Sequence, residues 1–190
     1  MEQQTAKPIV HRCRWVNLNN PRYVAYHDHE WGVPEHDDGK LFELLLLECF
    51  QAGLSWECIL NKREAFREAF DQFDAAKISC YDEAKCEQLL AAPIVRNRLK
   101  IRAAVTNSRV FRQIQAEFGS FDAYLWGFTR GQTIRESCEL RTTSPLSDAL
   151  SKDLKKRGMK FVGSTIIYAY LQAAGIYDAH AEHCDCCKRD

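Results

Sequence analysis

The sequence has no net charge: 26 basic and 26 acidic side chains cancel. Without an overall positive field, a nucleic-acid partner would have to be met by local patches. There is also no long apolar run. The most hydrophobic window, LFELLLLECF, is far shorter than the ~20 residues of a bilayer span and carries Glu43 and Glu48. The opening MEQQTAKPIV lacks a basic region followed by an apolar core, so no secretory signal and a cytoplasmic location are expected. Internal repeats, low-complexity tracts and linker-like shifts in composition are absent as well. The expectation is an extended or disordered tail over residues 1–10 and a single helical domain over residues 11–187. A 190-residue chain buries roughly 70% of its unfolded surface and folds without staples. The nine cysteines are odd in number and not spaced like a disulfide scaffold. They read as reduced and mostly buried, and a cluster of them as metal-binding.

Strand-like alternation is scarce, while helical spacing recurs throughout and predicts an all-α protein. Asp37 or Asp38 can cap a helix through LFELLLLECFQAG that ends near Gly53. Four consecutive leucines put apolar groups on all of its faces, so it should lie centrally. Ser55 can cap WECILNKREAFREAF, and DEAKCEQLLAA runs to Pro93 before the basic stretch IVRNRLKIRAAVTNSRVFRQIQAEF. FDAYLWGF is a short helix. Ser144-Pro145 caps LSDALSKDLKKR, which Gly158 stops, and GSTIIYAYLQAAG closes the helical series.

Three features carry chemistry. The segment HRCRWVNLNNPRYVAYHDHEWGVP gathers Trp15, Tyr23, Tyr26 and Trp31 in a stretch too rich in Asn, Pro and Gly to predict a regular helix. A loop packing aromatics over the core explains it; so does an aromatic pocket for a flat ligand. Glu48 follows the four leucines on a buried helix, where a carboxylate is costly unless it is paired, protonated or functional. A structural ion pair with an arginine is the plain alternative. Beside Trp56 and the tyrosines, Glu48 could instead read a base with exocyclic N–H donors and favour a cationic one. Third, EQLLAAPIVRNRLKIRAAV predicts a helix, a turn and a basic helix start with Arg96, Arg98, Lys100 and Arg102, a natural phosphate site or simply a solvated face. Lys152, Lys155, Lys156, Arg157 and Lys160 form a second basic cluster.

The C-terminal DAHAEHCDCC sets His180 and Cys184 in an H-x3-C spacing, which points both side chains the same way on a helical turn. Zinc takes four N/S ligands, and Cys13 and His27 are plausible partners. His183, Cys186 and Cys187 compete locally, and a redox pair or an untidy tail is the alternative to a metal.

Together, CRWV, PRYVAYHDHEWGVP, LFELLLLE, QAGLSW, SDALSKDLKKRGMKFVGST and the terminal H-x3-C resemble, in order, the signature blocks of the 3-methyladenine DNA glycosylase I family. The resemblance covers roughly residues 11–187. It implies a compact helical bundle of the helix-hairpin-helix type, with the hairpin near residues 83–115. It also implies hydrolysis of the N-glycosidic bond of 3-methyladenine in double-stranded alkylated DNA by a monomer, with no lyase step. A structural zinc would join the termini through Cys13, His27, His180 and Cys184. Glu48 would be the key carboxylate, with Tyr26 as a second reader, Trp56 stacking on the base, and Trp15, Tyr23 and Trp31 around it. Gly53 and Leu54 would approach the gap in the duplex, and Arg96, Arg98, Lys100 and Lys160 the backbone. One departure stands out: the turn AAPIV contains no glycine, which such hairpins use to bring backbone close to phosphate. A non-catalytic damage-sensing module on the same scaffold and a zinc-stapled protein-binding module are the rival functions.

Overall fold

The computed structural model describes residues 11–136 and 141–188; the expected tail at 1–10 lies outside the described residues. In chain order the helices are α1 (Pro21–His29), α2 (Asp38–Gln51), α3 (Trp56–Asn61), α4 (Arg63–Ala69), α5 (Ala75–Ser79), α6 (Glu83–Ala91), α7 (Arg98–Phe118), α8 (Phe121–Gly127), α9 (Pro145–Lys156) and α10 (Ser164–Ala173). Two two-residue strands, β1 (Ile134–Arg135) and β2 (Tyr177–Asp178), pair in parallel with Ile134 opposite Tyr177. None of the described helices is long and apolar enough to cross a membrane.

Helix α2 is the centre. Every residue from Leu41 to Phe50 is buried, and α10, α7, α8 and α3 pack around it. Asp37 caps it, accepting from the Lys40 amide at 2.9 Å. Asp38 reaches across to accept from the amides of Phe121 and Asp122 at 2.9 and 2.8 Å, which ties the start of α8 to α2. Helix α9 opens with a capping box in which Ser144 and Ser147 satisfy each other's amides, behind Pro145 at the first turn.

The structure departs from the sequence expectations in three places. Residues 21–29 are helical, not irregular: Asn20 caps the Arg22 amide at 3.1 Å and Pro21 takes the first helical position. The Asn-Pro pair starts a helix here instead of a loop. The helix expected over 56–70 breaks at Lys62, whose backbone ends α3 and begins α4. Finally, α7 begins at Arg98, where Asn97 caps the Lys100 amide at 3.1 Å, so Arg96 lies in the connection from α6.

Candidate active site and candidate metal centre

Trp15, Tyr23, Tyr26, Trp31, Glu48, Gln51, Trp56, Ala169 and Gln172 enclose a cavity of about 210 Å³. That is below the roughly 300–1,000 Å³ of pockets for drug-sized ligands, so the cavity suits one planar ring system. Tyr26 comes from α1, Glu48 from α2, Trp56 from the first turn of α3 and Gln172 from α10. The central helix thus presents Glu48 where three other elements meet. The turn between α2 and α3 sets the spacing, because Gly53 adopts a positive φ of 80° and Ser55 caps the Cys58 amide at 3.2 Å.

Glu48 is 3% exposed, and its Oε2 has no hydrogen-bond partner among the described residues. No arginine or lysine pairs with it there, so the structural ion pair, the plain alternative, is not formed among the described residues. Glu43, on the same helix, shows the contrast: its carboxylate binds Arg63 at 2.6 Å and Arg67 at 2.9 Å. Burial pushes the Glu48 carboxyl up to about 8. The indole Nε1 of Trp56 is likewise buried and unpartnered. Two residues that line the cavity therefore each hold a buried polar atom without a mate, which is costly unless a ligand supplies one. Tyr26 lies 5.2 Å from Trp56, ring to ring, and burial followed by the Glu48 charge holds its phenol well above the ordinary value. Trp15 closes the outer side, with ring centroids 4.8 Å from Trp31 and 5.4 Å from Tyr23.

The second cluster joins the two ends of the described chain. Donor atoms of His27, His180, Cys184 and Cys186 all lie within 4.8 Å of one another and are buried. Each histidine is oriented by a carboxylate: His27 Nδ1 meets Asp28 at 2.9 Å and His180 Nδ1 meets Asp178 at 2.7 Å. This leaves the Nε2 atoms toward the thiols, with Cys184 Sγ 3.5 Å from His27 Nε2. His180 Nε2 is buried with no hydrogen-bond partner. Carboxylate-oriented imidazoles, soft thiols and an orphaned ring nitrogen fit a zinc ion. Strand β2 places Asp178 through its pairing with β1. A β-carbon on Gly32, whose φ is +73°, would stand 2.8 Å from His180 Cε1, so only glycine admits the ring there. Cys13 is buried nearby, but its Sγ is not among the four; it accepts from the Ala181 amide at 3.4 Å.

The residues proposed to meet DNA are placed unevenly. Leu54, between Gln51 and Trp56 in the chain, is 42% exposed. Arg96 is exposed, and Arg98 pairs with Glu87 and, at 3.8 Å, with Glu83, which also binds Arg102. Lys100 is only 6% exposed: its ammonium donates to the Phe50 and Ala52 carbonyls at 2.8 and 2.6 Å, tying off the end of α2. Lys160 is exposed in the α9–α10 turn, its backbone clamped by Asn107 at 2.8 and 2.9 Å. Lys152, Lys155 and Lys156 are exposed near it, and none of the four has an ion pair among the described residues.

Sequence reasoning missed Gln51, Gln172 and the two orienting aspartates. Gln51 lies one turn after Glu48 on the same face, and Gln172 is the lone amide of an apolar helix; both were readable signals. Asp28 adjoins His27, but Asp178 depended on the β1–β2 pairing.

With this geometry in place, comparisons with known proteins are consistent in direction. The model of the methyladenine glycosylase family matches residues 15–188. DNA-3-methyladenine glycosylase 1 of Escherichia coli (strain K12) is 45% identical over 182 residues, covering 93% of this chain and 97% of that protein. A solved structure of 3-methyladenine DNA glycosylase I superposes with a TM-score of 0.89 at 46% identity, over 93% of this chain and 99% of that one. Another, describing 3-methyladenine recognition by the Staphylococcus aureus enzyme, superposes at 0.87 with 38% identity, over 90% and 94% of the two chains. This chain belongs to the methyladenine glycosylase family.

Proposed function

We propose that the protein removes 3-methyladenine from alkylated double-stranded DNA by hydrolysing the N-glycosidic bond, leaving an abasic site. The observation that carries this reading is the unpartnered Glu48 and Trp56 Nε1 inside a ring-sized aromatic cavity. A base can reach such a cavity only by leaving the stack, and stacking plus edge hydrogen bonds offset the cost of unpairing. Methylation at N3 makes the purine cationic. Entry of that cation favours the ionised form of Glu48, while Tyr26, Trp56, Trp15, Tyr23 and Trp31 supply π-faces that attract positive charge. Neutral adenine gains neither term.

Chemistry then needs little from the protein. The C1′–N9 bond breaks, its electron pair passes to the purine, and the base departs neutral. The positive charge moves to C1′, where the buried carboxylate and the DNA phosphates stabilise it electrostatically. Water adds at C1′ and loses a proton to solvent. Glu48 serves recognition and charge stabilisation.

Backbone grip is assigned to two hairpins. The α6–α7 pair, joined by residues 92–97, offers Arg96 and Arg98, with Arg98 shared with glutamates. The α9–α10 pair supports phosphate contact better. Gly158 there has a φ of +105°, Gly163 precedes α10 with no side-chain cap, and four exposed lysines surround the turn. This hairpin has the glycines that the turn at Pro93 lacks. Gly53 and Leu54 approach the gap left by the flipped base.

His27, His180 and Cys184, with Cys13 as the fourth ligand that the family resemblance implies, would hold a structural zinc ion, which would fix the segment bearing Trp15, Tyr23, Tyr26 and Trp31 against the helical body and take no part in bond breaking. The protein acts as a monomer in the cytoplasm. The test is incubation with methylated duplex DNA and mass spectrometry of the liberated bases. Release of free 3-methyladenine is expected; its absence from a folded preparation overturns the proposal.

A further inference from the structure

We propose that Asn107 is a positioning residue for DNA: it fixes the α9–α10 turn at a set offset from the base cavity, so that a gripped phosphate and a flipped base are held by one rigid unit. The inference rests on the reading of the α9–α10 hairpin as the DNA grip and adds the device that aims it. Asn107 lies on α7, is fully buried and does not line the cavity. Its side-chain amide meets one peptide twice. Oδ1 accepts from the Lys160 amide at 2.8 Å, and Nδ2 donates to the Lys160 carbonyl at 2.9 Å.

The same peptide is joined to the helix that carries Glu48. Cys49, the next residue on α2, donates from Sγ to the Lys160 carbonyl at 3.8 Å, and its sulfur also lies 3.6 Å from Asn107 Nδ2. Burial pushes the Cys49 thiol up to about 12, so it keeps the proton it donates. Lys100 adds a second link: its ammonium, bonded to the Phe50 and Ala52 carbonyls, stands 5.9 Å from the centre of the Phe161 ring. On either side of Lys160 the turn is fastened to α9. The Met159 amide donates to the Leu154 carbonyl at 3.0 Å, and Ser151 Oγ donates to the Val162 carbonyl at 2.6 Å. Phe161 is held at a φ of 56°, a left-handed conformation that a bulky residue keeps only where its surroundings impose it. Outward, the turn presents the Lys160 side chain and the opening amides of α10, which have no acceptor within the helix. Without Asn107 the turn keeps its charges and loses its aim.

The experiment measures the Kd for an undamaged duplex by fluorescence anisotropy. Binding of free 3-methyladenine, read by quenching of tryptophan fluorescence, reports separately on the cavity. Asn107→Ala is expected to raise the duplex Kd about tenfold or more and to leave the free-base Kd within about twofold. Asn107→Asp keeps the shape of the side chain. Its ionised carboxylate cannot donate to the Lys160 carbonyl, whereas the protonated form, which burial favours, can. Relative to the unmodified chain at the same pH, its duplex Kd should therefore be about tenfold higher at pH 8 and within about threefold at pH 5.5. An unchanged duplex Kd in Asn107 variants that still bind the free base overturns the proposal. If Lys152→Ala with Lys155→Ala then weakens duplex binding, the hairpin stands as the grip without Asn107 as its guide; if it does not, the hairpin reading falls as well.

Discussion

Replacing Glu48 with glutamine should stabilise the free protein at neutral pH and leave it unchanged in acid. Burial raises the carboxyl from its ordinary 4.5 to about 8 in the folded chain. The folded state therefore holds its proton over a range where the unfolded chain has lost it. A raised carboxyl contributes stability that is fully present below about pH 4.5 and lost as pH climbs through 8. Each pH unit in that window is worth about 1.36 kcal/mol, so between pH 5 and 7.5 the loss is about 3 kcal/mol. This is a large fraction of the ~5–15 kcal/mol that holds a typical domain together. Glutamine keeps the shape, cannot ionise and does not pay this cost. Urea denaturation followed by tryptophan fluorescence, at intervals from pH 5 to 8.5, measures the difference, since every other titrating group is common to both proteins. Similar stability at pH 5 and a variant about 3 kcal/mol more stable at pH 7.5 are expected. A difference that stays constant with pH would refute the claim that Glu48 is desolvated and unpaired.

Lys100→Met removes the donor to two carbonyls at the end of α2, and leaving them unmet should cost about 1–3 kcal/mol in the same denaturation assay. A neutral result would mean that water replaces the ammonium. Lys152→Ala with Lys155→Ala should weaken binding to any duplex and lower the slope of log affinity against log salt by about 1–2, read by fluorescence anisotropy. An unchanged slope removes the α9–α10 hairpin from the DNA contact. Asp178→Asn loosens the orientation of His180, so zinc affinity measured by competition with a chelator should fall about 10–100-fold. Unaltered affinity would indicate that the ring is held by packing alone.

How much of this was legible varies by residue. The burial of α2 could be read from its leucines, because a helix apolar on every face has no solvent side. Glu48 stood out for the same reason, although the missing partner could be seen only once the surrounding side chains were placed. The Ser144-Pro145 cap and the stop at Gly158 were local signals and give the observed α9. Helix α1 was not legible, since Asn20-Pro21 serves equally as a turn or as a cap with a first-turn proline. The break at Lys62 carries no glycine or proline. It comes with packing of α3 and α4, where Arg63 binds Glu30 and Glu43. Lys100 read as an open cation on a basic helix; the carbonyls that bury it belong to residues 50 and 52, far away in sequence. Cys186 was one of three spare donors in the tail, and only the folded chain brings its donor atom within 4.8 Å of those of His27, His180 and Cys184.

The account stands most directly on the rate at which the folded Glu48→Gln variant releases 3-methyladenine from methylated duplex DNA in a single turnover. Loss of the carboxylate removes the charge that favours the cationic base and the developing sugar cation. A fall of about 10²-fold or more is predicted, with the cavity and fold preserved. Release at the unmodified rate by a stable Glu48→Gln protein would contradict it.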